Sequence, residues 1–301
     1  MKIIMIGHGM VGHKFIESVL EHVGDDVEIT ILAEEPRLAY DRVHLTEYFS
    51  GKSAKDLTLC RADFADAYGI DLRLNTKAVA IDQSHKTVTT NHGDVLSFDK
   101  LILATGSYAF VPPISGNDRE NCFVYRTIED LDAIRAASLN AKSGVVIGGG
   151  LLGLEAAKAL RDLNLETHVV EFAPRLMAVQ IDDLGGKVLR AKIENLGVKV
   201  HTQKATSSIE EGATTKHVMK FGDGSELETD IILFSAGIRP RDELARQSGL
   251  ALGERGGIMI NDYCQTSNPD IYAIGECALW QNKIYGLVAP GYDMARIAAK
   301  H

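Results

Sequence analysis

The chain has 301 residues, 45% apolar and 24% charged, which is material for roughly two domains and for a core that folds without metal or disulfides. Its net charge of −9 and the lack of any Lys/Arg-rich run argue against nucleic acid as a partner. No apolar stretch approaches the ~20 residues of a membrane span, and the opening IIMI is far shorter than the ~7–15 residues of a signal-peptide core.

The opening segment predicts a strand over Lys2–Ile6, a helix over Met10–His22 and a strand over Val27–Ala33. Val11, Phe15, Val19 and Leu20 fall on one face of that helix at helical spacing. Between strand and helix stands Gly-x-Gly-x-x-Gly at Gly7, Gly9 and Gly12. A helix over Ala62–Tyr68 and a strand over Ile70–Leu74 follow. Hairpin strands are then predicted over Lys77–Asp82, Thr87–Thr90 and Val95–Ser97, around polar turns such as His92-Gly93. An apolar strand, Lys100–Leu103, ends in Ala104-Thr105-Gly106, and the Pro-rich VPPISG reads as a crossover between domains.

The order then repeats. A helix over 127–137 has a candidate cap at Thr127 with Glu129 behind it. Ser143–Ile147 predicts a strand, Leu151–Asp162 a helix and Thr167–Glu171 a strand, with a second fingerprint at Gly148, Gly150 and Gly153. A helix from Asp183 to Leu196 ends at Gly197, and Lys199–His201 is a strand. Two strands flank Gly222-Asp223-Gly224, and Asp230–Ser235 is an apolar strand ending in Ala236-Gly237. The strand Ile271–Ile274 leads into Gly275-Glu276, and a helix over Tyr292–Lys300 closes the chain. This is a duplication with the second copy nested in the first. It predicts two nested Rossmann-like α/β domains of the three-layer FAD/NAD(P)-binding type: residues 1–112 and 238–301, and residues 113–237.

Each glycine has a physical task. Gly7 permits the tight turn, Gly9 lets backbone approach a pyrophosphate, and Gly12 lets the helix pack on the sheet; the helix N-terminus then offers free N–H groups and partial positive charge. One such motif alone is weak. Here each copy has its strand, its helix and an acid at the expected offset of ~20 residues, Glu34 and Glu171. A carboxylate there accepts from ribose hydroxyls, and at Glu171 it disfavours a 2′-phosphate, so NAD(H) is expected over NADP(H). Two such sites point to FAD and NAD(H). Ala104, Thr105 and Gly106, repeated at Ala236 and Gly237, are small groups where backbone passes close to a cofactor, and Glu276 is placed for a ribityl hydroxyl.

Together these residues resemble the FAD- and NAD-dependent pyridine nucleotide oxidoreductases of the glutathione reductase type, across essentially the whole chain. The resemblance assigns the first fingerprint to FAD and the nested one to NAD(H). Where that family carries Gly-Asp, this sequence has Gly275-Glu276, an acid one methylene longer. The segments EEPRLAYDRVHL, ATGSYAFVPPI, GGGLLGLEAA, EFAPRLMA, GIRPRDELA, CQTSNPDIYAIGECA and GLVAPGYDMA are similar to the N-terminal flavoprotein part of the assimilatory NADH nitrite reductase family. That resemblance implies electron flow from NADH to FAD and on to an iron–sulfur cluster and sirohaem. Neither centre has ligands in this sequence, and no C-terminal interface domain follows the last helix, so the chain reads as a fragment.

Further site residues are carried by the resemblance. Met10, Val11, Glu35, Val79, Tyr108 and Pro290 are expected to line the first cofactor, and Leu151 and Leu152 the second. Arg42 is expected to place a cation near the flavin, and Glu155 to sit by the nicotinamide and pair with Arg42. The stretch AYDRVHLTEYF, where disulfide reductases carry their redox pair, has no cysteine. Cys60, Cys122, Cys264 and Cys277 are scattered with no Cys-x-x-Cys, so reduced thiols and a cytoplasmic location are expected. The ten histidines show no metal spacing, and no metal site is expected. His8, inside the first glycine loop, is read as packing rather than as a proton donor, because the loop works through its backbone. Two other readings share the same core: a rubredoxin- or ferredoxin-type reductase serving a separate small protein, and a flavin-binding redox sensor with little turnover.

Overall fold

The computed structural model describes residues 1–22 and 27–301. The chain divides into two compact units, one of residues 1–43, 55–108 and 239–301, the other of 44–54 and 109–238.

The first unit is built on a parallel sheet of five strands. Its spatial order is Ile271–Ala273, Lys100–Leu103, Lys2–Ile6, Glu28–Leu32 and Asp71–Arg73. Lys2–Ile6 pairs in register with Glu28–Leu32 on one side and Lys100–Leu103 on the other. Ile3, Ile4, Met5 and Ile6 are all buried, so the strand reads as a continuous apolar run rather than an alternation. That is the signature of a parallel strand covered on both faces. The late strand Ile271–Ala273 takes the edge beyond Lys100–Leu103, with Ile271 opposite Leu101. The helix Met10–His22 packs against the closing helix Val288–Lys300; a Cβ on Gly291 would lie 2.5 Å from Val11 Cγ2. The closing helix starts four residues before the expected Tyr292 and includes Pro290 in its first turn, where a missing N–H costs nothing. The strands Ala78–Asp82, Thr87–Thr90 and Val95–Ser97 form a separate antiparallel sheet.

The second unit repeats this plan. Its parallel sheet runs Val198–His201, Glu166–Val170, Ser143–Ile147, Ile231–Phe234 and Cys122–Val124. An antiparallel sheet of Thr206–Glu211, His217–Phe221 and Glu226–Thr229 accompanies it. Residues 44–54, contiguous with the first unit in sequence, belong to this one by packing. Tyr48 donates to Asp132, the Arg135 guanidinium lies 4.3 Å from the Tyr48 ring centre, and Tyr125 donates to Thr46 at 3.1 Å. Among the described residues no helix is long and apolar enough to cross a membrane, and no group of three His, Cys, Asp or Glu side chains could hold a metal.

Candidate dinucleotide sites

The two glycine loops are the same construction made twice. Gly7 stands at φ +101° and Gly148 at φ +122°, conformations that L side chains rarely adopt. A Cβ on Gly7 would meet the Ala104 carbonyl oxygen at 2.3 Å; one on Gly148 would meet that of Ser235 at 2.2 Å. Each glycine is thus demanded by the strand that crosses beside it, the one ending in Ala104-Thr105-Gly106 or in Ser235-Ala236-Gly237. The amides are fixed alike: Gly7 N donates to Leu32 O at 2.9 Å and Gly148 N to Val170 O at 2.8 Å. A Cβ on Gly12 would lie 2.5 Å from Gly7 O, and one on Gly153 only 1.9 Å from Gly148 O. The first turn of each helix therefore rides directly on its own loop.

The middle glycines differ from these. A Cβ on Gly9 or Gly150 would meet nothing within 4 Å, and the same holds for Gly106 and Gly237. Their absent side chains do not serve internal packing. They leave open space in front of a helix N-terminus, which is the cradle a pyrophosphate needs. The donor set and this open space fit a dinucleotide in each unit.

The residues around the first loop fall into two groups. The Glu34 carboxylate is held at the surface by Arg241 at 3.0 Å and Lys77 at 3.3 Å. Arg241 is itself tied to the Ala104-Thr105-Gly106 turn: its amide donates to Gly106 O at 2.9 Å and its carbonyl accepts from Thr105 Oγ1 at 2.6 Å. Val79 and Tyr108 are exposed, and Val11 packs under Gly275 and beside Pro290's turn. Met10 Sδ accepts from the Arg42 amide at 3.4 Å. Ser107, buried, donates through Oγ to Glu276 Oε2 at 2.7 Å.

Arg42 is held by its own unit. It pairs with Glu35, whose other oxygen accepts from Tyr40 Oη at 2.8 Å, and its guanidinium lies 4.7 Å from the Tyr40 ring centre. Burial lowers the guanidinium pKa, but Tyr40, Glu35 and Glu276 outweigh it and the net shift is upward. The sequence reading pairs Arg42 with Glu155; the carboxylate that Arg42 engages within its unit is Glu35. Tyr40, Ser107, Arg241 and Lys77 are not among the site residues of the sequence reading, and their neighbours in the fold bring them to this site.

In the second unit Leu151 and Leu152, at the start of the helix after the loop, are exposed. Glu155 lies one turn further along that helix, and burial pushes its carboxyl above the ordinary range, with His44 pulling the other way. Glu171 accepts from Gly149 N at 2.6 Å and from Ala173 N at 2.7 Å.

Two parallel α/β units, each with a complete glycine loop, open space at its middle glycine and an acid after the second strand, are the framework of a fold that binds two dinucleotides. The chain belongs to the pyridine nucleotide-disulphide oxidoreductase family, whose pattern matches residues 1–300. It is 55% identical over 302 residues to the nitrite reductase (NADH) large subunit of Escherichia coli (strain K12), covering 100% of this chain and 36% of that protein. It is 29% identical over 300 residues to the rubredoxin-NAD(+) reductase of Alcanivorax borkumensis, covering 99% of this chain and 78% of that one. Among solved structures, a NAD-dependent persulfide reductase from A. fulgidus superposes with a TM-score of 0.93 at 28% identity, over 100% of this chain and 59% of that one. The chain spans 36%, 31% and 37% of the length of three nitrite reductase relatives, about a third of each.

Proposed function

We propose that the first unit holds FAD, the second holds NADH, and the chain is the NADH-oxidising flavoprotein module of a nitrite reductase. The doubled glycine loop carries this reading, with Gly9 and Gly150 both facing open space. The sequence expectation of 1–112 with 238–301 for FAD and 113–237 for NAD is kept in this reading except where packing moves residues 44–54 and the segment boundaries to the second unit. A cytoplasmic place of work, where NADH is available, follows from the same reading.

Bound together, FAD and NADH would supply hydride transfer from nicotinamide to flavin, and the reduced flavin would release single electrons toward iron–sulfur and sirohaem centres that reduce nitrite to ammonia. The chain's own residues bind and orient. Gly7, Gly9 and Gly12 present backbone to the FAD pyrophosphate; Gly148, Gly150 and Gly153 do so for NADH. Glu34 faces a ribose, and Glu276, steadied by Ser107, faces the ribityl chain. Arg42 keeps a fixed cation at the flavin, which favours its reduced, anionic form. Glu155 sits at the nicotinamide. Glu171 at the adenosine ribose favours NADH over NADPH. Positioning does most of the catalytic work in such a transfer.

An anaerobic spectrum of the purified chain tests the reading. Flavin bands that bleach with NADH and far less with NADPH are expected. A chain that stays colourless after incubation with FAD overturns the flavin assignment, and bands that NADH leaves unchanged overturn the nicotinamide assignment.

A second reading has its own support. The chain is 29% identical to the rubredoxin-NAD(+) reductase over 99% of its length, and a module of that kind would pass electrons to a separate carrier protein. NADH-driven reduction of added rubredoxin or ferredoxin at hundreds of turnovers favours that reading. Turnover with ferricyanide alone disfavours it.

A further inference from the structure

The acids of the two units are used differently, although the first and last glycines of the two loops make the same contacts. Glu34 is held by Lys77 and Arg241. Glu171 turns back onto its loop. One oxygen accepts from the amide of Gly149, the residue between the first two fingerprint glycines, at 2.6 Å; the other accepts from Ala173 N at 2.7 Å. Gly149 is gripped from the other side as well, because its carbonyl accepts from Met177 N at 2.9 Å. A Cβ on Gly149 would lie 2.6 Å from Leu176 Cδ2 and 3.0 Å from Glu171 Oε2, and Leu176 is fully buried. Residues of the segment 171–177 therefore meet Gly149 at its amide, its carbonyl and its Cα.

Glu171 is itself anchored. Its amide donates to His201 O at 2.8 Å, its carbonyl accepts from Lys204 N at 3.1 Å, and Gln203 N donates to Ala173 O at 3.1 Å. The carboxylate thus joins the phosphate-facing loop to the rigid edge of the parallel sheet. The first loop has His8 at the matching position, with an imidazole where the second has a hydrogen atom.

We propose that Glu171 is a positioning residue that sets the shape of the nucleotide loop through the Gly149 amide, in addition to any contact with ribose. This rests on reading the second unit as the NAD(H) site. The physical consequence is specific. A carboxylate that only touched ribose hydroxyls would matter only to nucleotides that have them. A carboxylate that holds the loop matters to every ligand whose pyrophosphate rests there.

The test is binding of NAD+ and of its analogue with a 2′,3′-dideoxyadenosine ribose to the oxidised flavoprotein, measured by calorimetry. Glu171→Ala is expected to weaken both ligands by about tenfold, the size of one lost hydrogen bond to a charged group. Glu171→Gln, which keeps one acceptor oxygen, is expected to fall between. Gly149→Ala, which perturbs the same contact from the loop side, is expected to weaken both ligands too. A loss for the dideoxy analogue smaller than about threefold in Glu171→Ala overturns the proposal and leaves a ribose contact only. Hydrogen exchange of the Gly149 and Ala173 amides in the nucleotide-free protein gives an independent readout. Protection in the parent that is lost in Glu171→Ala, with flavin retention unchanged, is expected; unchanged exchange overturns the proposal. If the parent chain binds no NAD+, the nicotinamide reading fails by itself, and the exchange experiment still decides the role of Glu171.

Discussion

His8 places an imidazole inside the first glycine loop. It is buried, and neither ring nitrogen has a hydrogen-bond partner among the described residues. Its ring lies edge-on to His13, 5.6 Å between centres. Burial, with His13 adding to it, pulls its pKa down to about 4 from 6.5. The unfolded chain therefore binds a proton that the folded one refuses between about pH 6.5 and pH 4, and stability falls as pH drops through that window. The shift corresponds to on the order of 3 kcal/mol. His8→Leu removes the titrating group and leaves no orphaned nitrogen, so urea midpoints at pH 7 and pH 4.5 should differ less in the variant than in the parent. Equal acid losses in both would place the sensitivity elsewhere.

Among the local elements, the helix Ile128–Ser138 illustrates how a cap is chosen. Thr127 is the N-cap, as its position before the apolar positions implies, but the residue that closes the box is Asp130 and not Glu129. Asp130 stands three residues into the helix, where its carboxylate reaches the Thr127 amide at 2.8 Å and the Arg126 amide at 3.0 Å; Glu129, one residue earlier, does not occupy that position. Thr127→Ala leaves the Asp130 amide without its side-chain acceptor and should cost about 0.5–2 kcal/mol in chemical denaturation. A loss below a few tenths would show that the carboxylate half of the box suffices.

At the scale of the whole chain, the duplication makes a clean prediction. Gly9 and Gly150 have ordinary φ values and open space where a side chain would go, so valine at either costs the fold little and fills the cradle. Gly9→Val should lose FAD and keep NAD+ binding, and Gly150→Val should do the reverse. Apo-protein melting temperatures should stay within a few degrees of the parent. Loss of both ligands in either variant would mean that the loops do not act as independent sites.

The order of residues alone determines the class of this protein. Buried parallel strands are continuous apolar runs, the helices between them keep a 3.6-residue stripe, and a turn that must pass under a crossing strand accepts only glycine. The first two demands are local, the third leaves a spacing signature in the sequence, and all repeat in both halves, so Gly7 and Gly148, with the helices Met10–His22 and Leu151–Asp162, are legible directly. Folding in space decides the partners. Residues 44–54 pack with the second unit because Tyr48 finds Asp132 and Arg135, more than eighty positions away. Glu35 takes Arg42 and Tyr40, Ser107 takes Glu276, and Glu34 and Glu171, alike at their strand ends, turn to different neighbours. A carboxylate's role is set by which donors the chain brings within about 3 Å of it, and that is a property of the fold's long-range contacts rather than of any spacing along the chain.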